Sequence, residues 1–308
     1  MPGKYPINEE FKPFNSFIIP INRFSIAMSR LILRVPRFFI KNDDCKVEKR
    51  LIPSFDGRKI EIYIITPKTA KAKSPCLINF HGGGFVLDGA SHHYKLALEY
   101  AERLNCKVVY VRYRLAPKHP FPFPFEDAYS ALTWVYDNAR KIGVDRNKIG
   151  VGGDSAGGTL SAAMCLMARD RNHPIKIKFQ MLSYPFLDGR CSSRSCKKFT
   201  DTPMWNSVRS KKVVPLFVPD VNAKNIMYVS PVQIKNLEGL PPAYIETAEF
   251  DSLHDDGILY SKRLVHVGVP TELNKTKGTM HGFDICYNAP TTRQIIDTRI
   301  DFMKRYFA

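Results

Sequence analysis

Ser155 stands in Gly153-Asp154-Ser155-Ala156-Gly157, a G-x-S-x-G pattern that follows the apolar run KIGVG and precedes AGGTLSAAMCLMA. Glycines crowded around a serine serve one of two chemistries. They form a cradle whose N–H groups wrap a phosphate, or a tight strand-to-helix turn that presents a nucleophilic hydroxyl. The phosphate reading fails on residue type. Gly152, Gly157 and Thr159 fit a phosphate-loop pattern, but Gly158 takes the place of the lysine that must meet the β/γ-phosphates. A dinucleotide G-x-G-x-x-G fails too, because Gly150 and Gly152 are followed by Ser155. The nucleophile elbow fits. Gly153 and Gly157 let neighbouring backbone pass where a Cβ would clash, and the following helix would aim its positive end at the reaction centre.

A serine hydroxyl needs a base, and the base needs an orienting acid. In this arrangement the partners follow the serine in the order acid, then histidine, at the ends of later strands. Asp251 lies just beyond AYIETAE, and His281, in GTMHGF, lies just beyond TELNKTK. Asp255 and Asp256 stand close behind Asp251, but both fit better as first-turn carboxylates of the helix that runs into GILYSKRL. His92, His93, His119, His173, His254 and His266 fall in loops or helical segments, where solvent exposure is the expectation. Acyl transfer also requires donors for the developing oxyanion. FHGGGF, residues 80–85, follows the apolar run CLINF and has the form used for that task, so the N–H groups of Gly83, Gly84 and Ala156 are the expected donors. This chemistry needs no cofactor and no metal.

The elements that must position these residues are legible as a rhythm. KVEKRLIPSFDGRKIEIYIITP reads as two strands joined through Asp56-Gly57, with Ile60, Ile62 and Ile64 on one face. Short apolar runs follow at 76–80, 107–111, 148–152, 178–184, 243–249 and 271–277, most of them separated by helical segments. Within 125–142 a stripe of Ala128, Ala131, Leu132, Val135, Ala139 and Ile142 ends before Gly143, and a final helix opens near Pro290 with Ile296, Ile300, Met303 and Phe307 on one face. Such alternation predicts a mostly parallel, doubly wound sheet entered through an antiparallel hairpin.

Two regions break the rhythm. Residues 1–46 mix apolar residues with Arg23, Arg30, Arg34, Arg37 and Lys41, which predicts one or two amphipathic helices. Residues 185–231 hold Pro203, Pro215, Pro219 and Pro231 and no clear strand. The two are expected to form a cap over one end of a core made of 47–184 and 232–308, with Met204 and Trp205 of DTPMW against the acyl pocket. A packed cap helix within 16–41 is expected, rather than a helix on a membrane surface.

Composition excludes several other classes. The chain has 308 residues, 44% hydrophobic and 24% charged, without the run of about 18 uncharged apolar residues that a membrane span needs. The start MPGKYPINEEFKPFN lacks the basic-then-apolar order of a secretory signal. The net charge of +17 comes from dispersed Lys and Arg with no basic run or RNA-recognition signature, so nucleic acid is not an expected partner. Seven cysteines form no C-x-x-C pair, and Cys191 and Cys196 are expected to be reduced in a cytoplasmic protein. Size permits a monomer or a homodimer.

These motifs resemble the hormone-sensitive-lipase-like group of α/β-hydrolases. The resemblance covers roughly residues 47–308. It rests on His81-Gly82-Gly83-Gly84, YRLAP (113–117), EDA (126–128), Gly153-Asp154-Ser155-Ala156-Gly157-Gly158, Asp251 with Leu253 and Asp255-Asp256-Gly257, and His281-Gly282-Phe283. It implies an α/β-hydrolase fold: a mostly parallel eight-stranded sheet flanked by helices, with a helical cap. It also implies a small-molecule ester substrate with a short to medium acyl chain, and Asp251 rather than Asp255 as the triad acid. The chain departs from the group's pattern at Ser252 and His254, and again at Lys118 and Phe123-Pro124. None of these carries a proton-transfer role. The rival readings are a deacetylase or amidase for a specialised sugar, antibiotic or amide, a non-catalytic receptor, and an interaction module using the basic surface. A receptor on this scaffold typically loses the triad histidine, whereas His281 is present.

Overall fold

Alternating and continuous apolar runs form eight strands in a computed structural model that describes residues 4–34, 42–220, 222 and 226–308. The hairpin β1 (Cys45–Pro53) and β2 (Lys59–Pro67) leads into β3 (Ser74–Phe80), β4 (Lys107–Arg112), β5 (Val144–Asp154), β6 (Gln180–Ser183), β7 (Ala243–Phe250) and β8 (Thr271–Met280). Their spatial order is β1-β2-β4-β3-β5-β6-β7-β8. β2 runs antiparallel to β1 and to β4, and every later pairing is parallel. The carboxyl ends of β3, β5, β7 and β8 therefore share one rim of the sheet, where ligands of open α/β sheets bind.

Helices cover both faces. α1 (Arg23–Arg34) precedes the sheet, α2 (Ser91–Arg103), α3 (Phe123–Asp137) and α4 (Ala156–Asp170) alternate with it, and α7 (His254–His266) and α8 (Pro290–Phe307) complete it. Every residue of α4 from Ala156 to Ala168 is buried, as its small-residue sequence requires. α3 stops earlier than the apolar stripe predicts. Ala139 and Ile142 are buried but lie beyond Asp137, where the Asn138 side chain donates back to the Trp134 carbonyl and the chain turns into β5.

The region 185–231 holds two short helices, α5 (Arg194–Lys198) and α6 (Ser207–Phe217), and residues 9–14 form a 3₁₀ turn. The N-terminal segment and this insertion meet directly: Ile19 N–H donates to the Met204 carbonyl at 3.1 Å and Met204 N–H to the Phe17 carbonyl at 2.6 Å. The expected packed helix in the N-terminal segment is only partly realised. In α1 Ile26 is buried, whereas Phe24, Met28, Leu31 and Ile32 face outward. Of the basic residues named there, Arg37, Lys41 and the Arg34 side chain lie outside the described residues. Among the described residues no helix is long and apolar enough to cross a membrane.

Candidate active site

The turn from β5 into α4 holds Ser155 at φ 51° and ψ −116°, a conformation that side chains other than glycine rarely adopt. The strain is held from several sides. Ser155 N–H donates to the Ser183 carbonyl of β6, and the Ser155 carbonyl accepts from Phe186 and Thr159. Glycine at 157 is required by space, since a Cβ there would lie 2.0 Å from the Phe80 carbonyl oxygen.

Asp251 and His281 come from the ends of the parallel strands β7 and β8. His281 Nε2 lies 3.0 Å from Ser155 Oγ, and His281 Nδ1 lies 2.7 Å from Asp251 Oδ2. A carboxylate can only accept, so Nδ1 carries the proton and Nε2 is free to accept from the Ser155 hydroxyl. The other Asp251 oxygen accepts from Leu253 N–H at 3.0 Å, which fixes the carboxylate plane. Exposure is 6% for Ser155, 6% for His281 and 0% for Asp251, so the chain of bonds runs in a region with little competing water. Asp255 and Asp256 sit in the first turn of α7, as the sequence predicts, and make no bond to His281.

The HGGG loop is arranged by the His81 side chain and by backbone bonds. The Gly82 carbonyl lies 2.7 Å from His81 Nδ1, which must donate to it, and the Gly83 carbonyl accepts from Val86 and Leu87 N–H at 3.1 and 2.9 Å. In a trans peptide the next N–H points the opposite way, so the N–H groups of Gly83 and Gly84 turn away from these bonds. Gly83 at φ 112° and Gly84 at φ 59° line the same cavity as Ser155. Ala156 opens α4, where its N–H has no carbonyl one turn back. Burial lowers the His81 pKa to about 4, so its ring stays neutral as a fixed donor. It stacks on Tyr113 with ring centres 4.5 Å apart.

One buried pair escaped sequence reasoning. His93 is not exposed: its Nδ1 accepts from Ala90 N–H at 2.8 Å and its Nε2 donates to Asp154 Oδ2 at 3.1 Å. Asp154 Oδ1 accepts from Gly82 N–H at 3.1 Å, so one carboxylate ties α2, the elbow and the HGGG loop together. Burial disfavours charge on both partners, yet their mutual attraction prevails and raises the His93 pKa while lowering that of Asp154. The available signal was an ionisable residue in the variable position of the elbow. His92, His119, His173 and His254 also depart from the exposed expectation, each half-buried, with His254 Nδ1 at 2.8 Å from the Ala248 carbonyl, and His266 is exposed as expected. Behind the His281 loop, the buried Arg299 donates to both Glu246 oxygens and to Asp284, which also accepts from Tyr184.

A cavity of about 300 Å³ opens onto Ser155, His281, Gly83 and Gly84. Its opposite wall comes from Phe17, Ile19, Ile32 and Leu33 of the N-terminal segment and from Met204 and Trp205 of the insertion. Two larger grooves, of about 630 and 570 Å³, lie beside α1 and include no triad residue. Their linings include Arg23, Arg30, Lys118 and Lys212 in the first and Lys59, Glu61, Asp88 and Arg112 in the second. Cys191 and Cys196 are free, as are the other five cysteines.

Known proteins share this fold. A family model for the alpha/beta hydrolase fold matches residues 77–285. Carboxylesterase NlhH of Mycobacterium tuberculosis is 36% identical over 244 residues, which cover 78% of this chain and 76% of that protein. Arylacetamide deacetylase of Bos taurus is 31% identical over 292 residues, covering 74% and 73%. A solved structure of bacterial heroin esterase superposes with a TM-score of 0.90 at 29% identity over 98% of each chain.

Proposed function

The chain belongs to the α/β-hydrolase family, in its hormone-sensitive-lipase-like group, and on that premise we propose that this carboxylic ester hydrolase cleaves short- to medium-chain acyl esters through Ser155, His281 and Asp251. The observation that carries the reading is the unbroken path from Ser155 Oγ through both imidazole nitrogens to Asp251, beside a cavity of acyl size.

His281 Nε2 takes the Ser155 proton as Oγ attacks the ester carbonyl carbon. Asp251 steadies the imidazolium that results. Negative charge collects on the former carbonyl oxygen, where the N–H groups of Gly83, Gly84 and Ala156 receive it. The alcohol departs with the proton from Nε2, leaving an acyl-serine. Water, deprotonated by the same nitrogen, then releases the acid. In this reading residues 1–46 and 185–231 act as a two-part cap, supported by the bonds between Phe17, Ile19 and Met204. The seven free thiols favour a cytoplasmic setting.

Hydrolysis of 4-nitrophenyl esters from acetate to laurate, with Ser155→Ala beside the parent, tests the proposal. Turnover of the shorter esters by the parent and background rates for the variant are expected. Undiminished activity in Ser155→Ala would remove the serine from the mechanism. The likeness to an arylacetamide deacetylase favours a second reading, amide hydrolysis, which 4-nitroacetanilide in the same assay distinguishes.

A further inference from the structure

A surface helix ordinarily turns its apolar stripe inward and its charges outward. α1 buries Ile26 but leaves a second apolar stripe uncovered. Phe24, Met28 and Leu31, spaced i, i+4 and i+7, form one outward stripe, 74%, 40% and 62% exposed, and Ile32 extends it at 58%. The arginine in the middle of the helix points the other way. Arg30 donates inward to the carbonyls of Val86 and Ala116. No charged residue interrupts the outward arc from Phe24 to Ile32.

The two flanks of the stripe differ. On one side Arg23, Lys118 and Lys212, all exposed, line the groove of about 630 Å³. The adjoining groove adds Lys59, and its acids Glu61 and Asp88 are both ion-paired to Arg112. On the other side Ser25, Ser29, Ile32 and Leu33 form part of the wall of the catalytic cavity. A stripe of large apolar side chains lies between a row of cations and the mouth of an acyl pocket.

Charge decides what can cover it. The chain carries 46 Lys and Arg against 29 Asp and Glu. A second copy carries the same +17 charge and would meet this cation-flanked face at a repulsive cost. An anionic lipid surface is complementary to the cations and accepts the apolar side chains beneath its headgroups. We propose that α1 is an interfacial helix that docks this protein on an anionic bilayer surface. Phe24, Met28 and Leu31 enter the headgroup boundary and Arg23, Lys118 and Lys212 meet the lipid phosphates and carboxylates. Docking brings the mouth of the cavity to the layer into which apolar esters partition. It does not depend on the triad, so it stands or falls apart from the proposed reaction.

Sedimentation of the full chain with vesicles tests this. One set is phosphatidylcholine with about one third phosphatidylserine, the other phosphatidylcholine alone. The parent pellets with the first set, far less with the second, and is released as salt rises. Phe24→Glu combined with Leu31→Glu lowers vesicle affinity at least about tenfold. It leaves thermal unfolding and 4-nitrophenyl acetate hydrolysis unchanged, because both side chains are exposed and neither lines the catalytic cavity. Lys118→Glu with Lys212→Glu removes the preference for phosphatidylserine. No binding by the parent, equal binding to both vesicle sets, or full binding by the Phe24/Leu31 variant overturns the proposal. So does a parent dimer that the Phe24/Leu31 variant splits, with no vesicle binding; the stripe is then an interface between copies.

Discussion

The two walls of the cavity at Ser155 present different chemistry to it. On the sheet side, Ser155, Asp251 and His281 stand at the carboxyl ends of β5, β7 and β8, and directional hydrogen bonds fix each of them. The HGGG loop beside them is held through Asp154 and His81. On the facing side, α1 and residues 203–205 present mostly apolar carbon, and two backbone bonds at Met204 join their segments. The difference matches the tasks proposed for the two walls. Proton transfer and oxyanion binding fail when groups shift by about half an ångström, so they need bonds with direction. Choosing an acyl group needs only a shape and a volume, which apolar contacts supply and tolerate changing.

Breaking the sheet-side wall has the largest effect. Ser155→Ala is expected to lower kcat for 4-nitrophenyl acetate by about 10⁴-fold or more with the fold intact, seen as an unchanged thermal midpoint. Asp154→Ala, one step removed, loosens Gly82 and leaves His93 without its partner. A fall of about 10²-fold in kcat with little change in KM is expected, with partial recovery in Asp154→Asn, whose oxygen still accepts from Gly82. Damage to the facing wall changes selection instead of chemistry. Trp205→Ala removes the ring that packs on Gly84 and bonds Ser210, and shifts kcat/KM toward longer acyl chains by about tenfold in a 4-nitrophenyl ester series.

The smallest expected effect concerns stability and sharpens the contrast between two neighbouring carboxylates. Asp251 has His281 and the Leu253 N–H, whereas Asp256, one turn on, is buried beside Asp188 and Cys196. Burial and the nearby carboxylates push its pKa up to about 8. The folded state therefore holds a proton that the unfolded chain releases near pH 4. The associated stability is complete below the unfolded pKa and is lost as pH rises through about 8. Asp256→Asn, neutral throughout, removes that loss. Its thermal midpoint should exceed the parent's by several degrees at pH 9, about equal it near pH 4, and vary less between them. A parallel pH dependence in the two proteins would remove Asp256 from this account.

Local geometry explains what could be read without coordinates. Gly153, Gly157 and the HGGG glycines are dictated by turns that no Cβ fits, and an apolar run marked the strand whose end carries Asp251, whereas TELNKTK before His281 holds Leu273 as its one apolar residue. The mostly parallel sheet entered through a hairpin follows from the same alternation, the count of eight strands from the family resemblance, and the order β1-β2-β4-β3-β5-β6-β7-β8 from the structure alone. Sequence reasoning missed the contacts between residues distant in the chain. His93 lies 61 positions from Asp154, and Arg299 53 positions from Glu246. Their residue types alone read as exposed charge. The direction α1 faces has the same origin. Its apolar residues are equally spaced for an inward or an outward stripe, and Val86, Ala116 and the rim of the cavity decide between them. Sequence by itself determined the backbone turns and the chemical groups, because those depend on sterics within a few residues. Tertiary structure alone decided which charges are buried together and which apolar face is left uncovered, because burial is a property of neighbours in space.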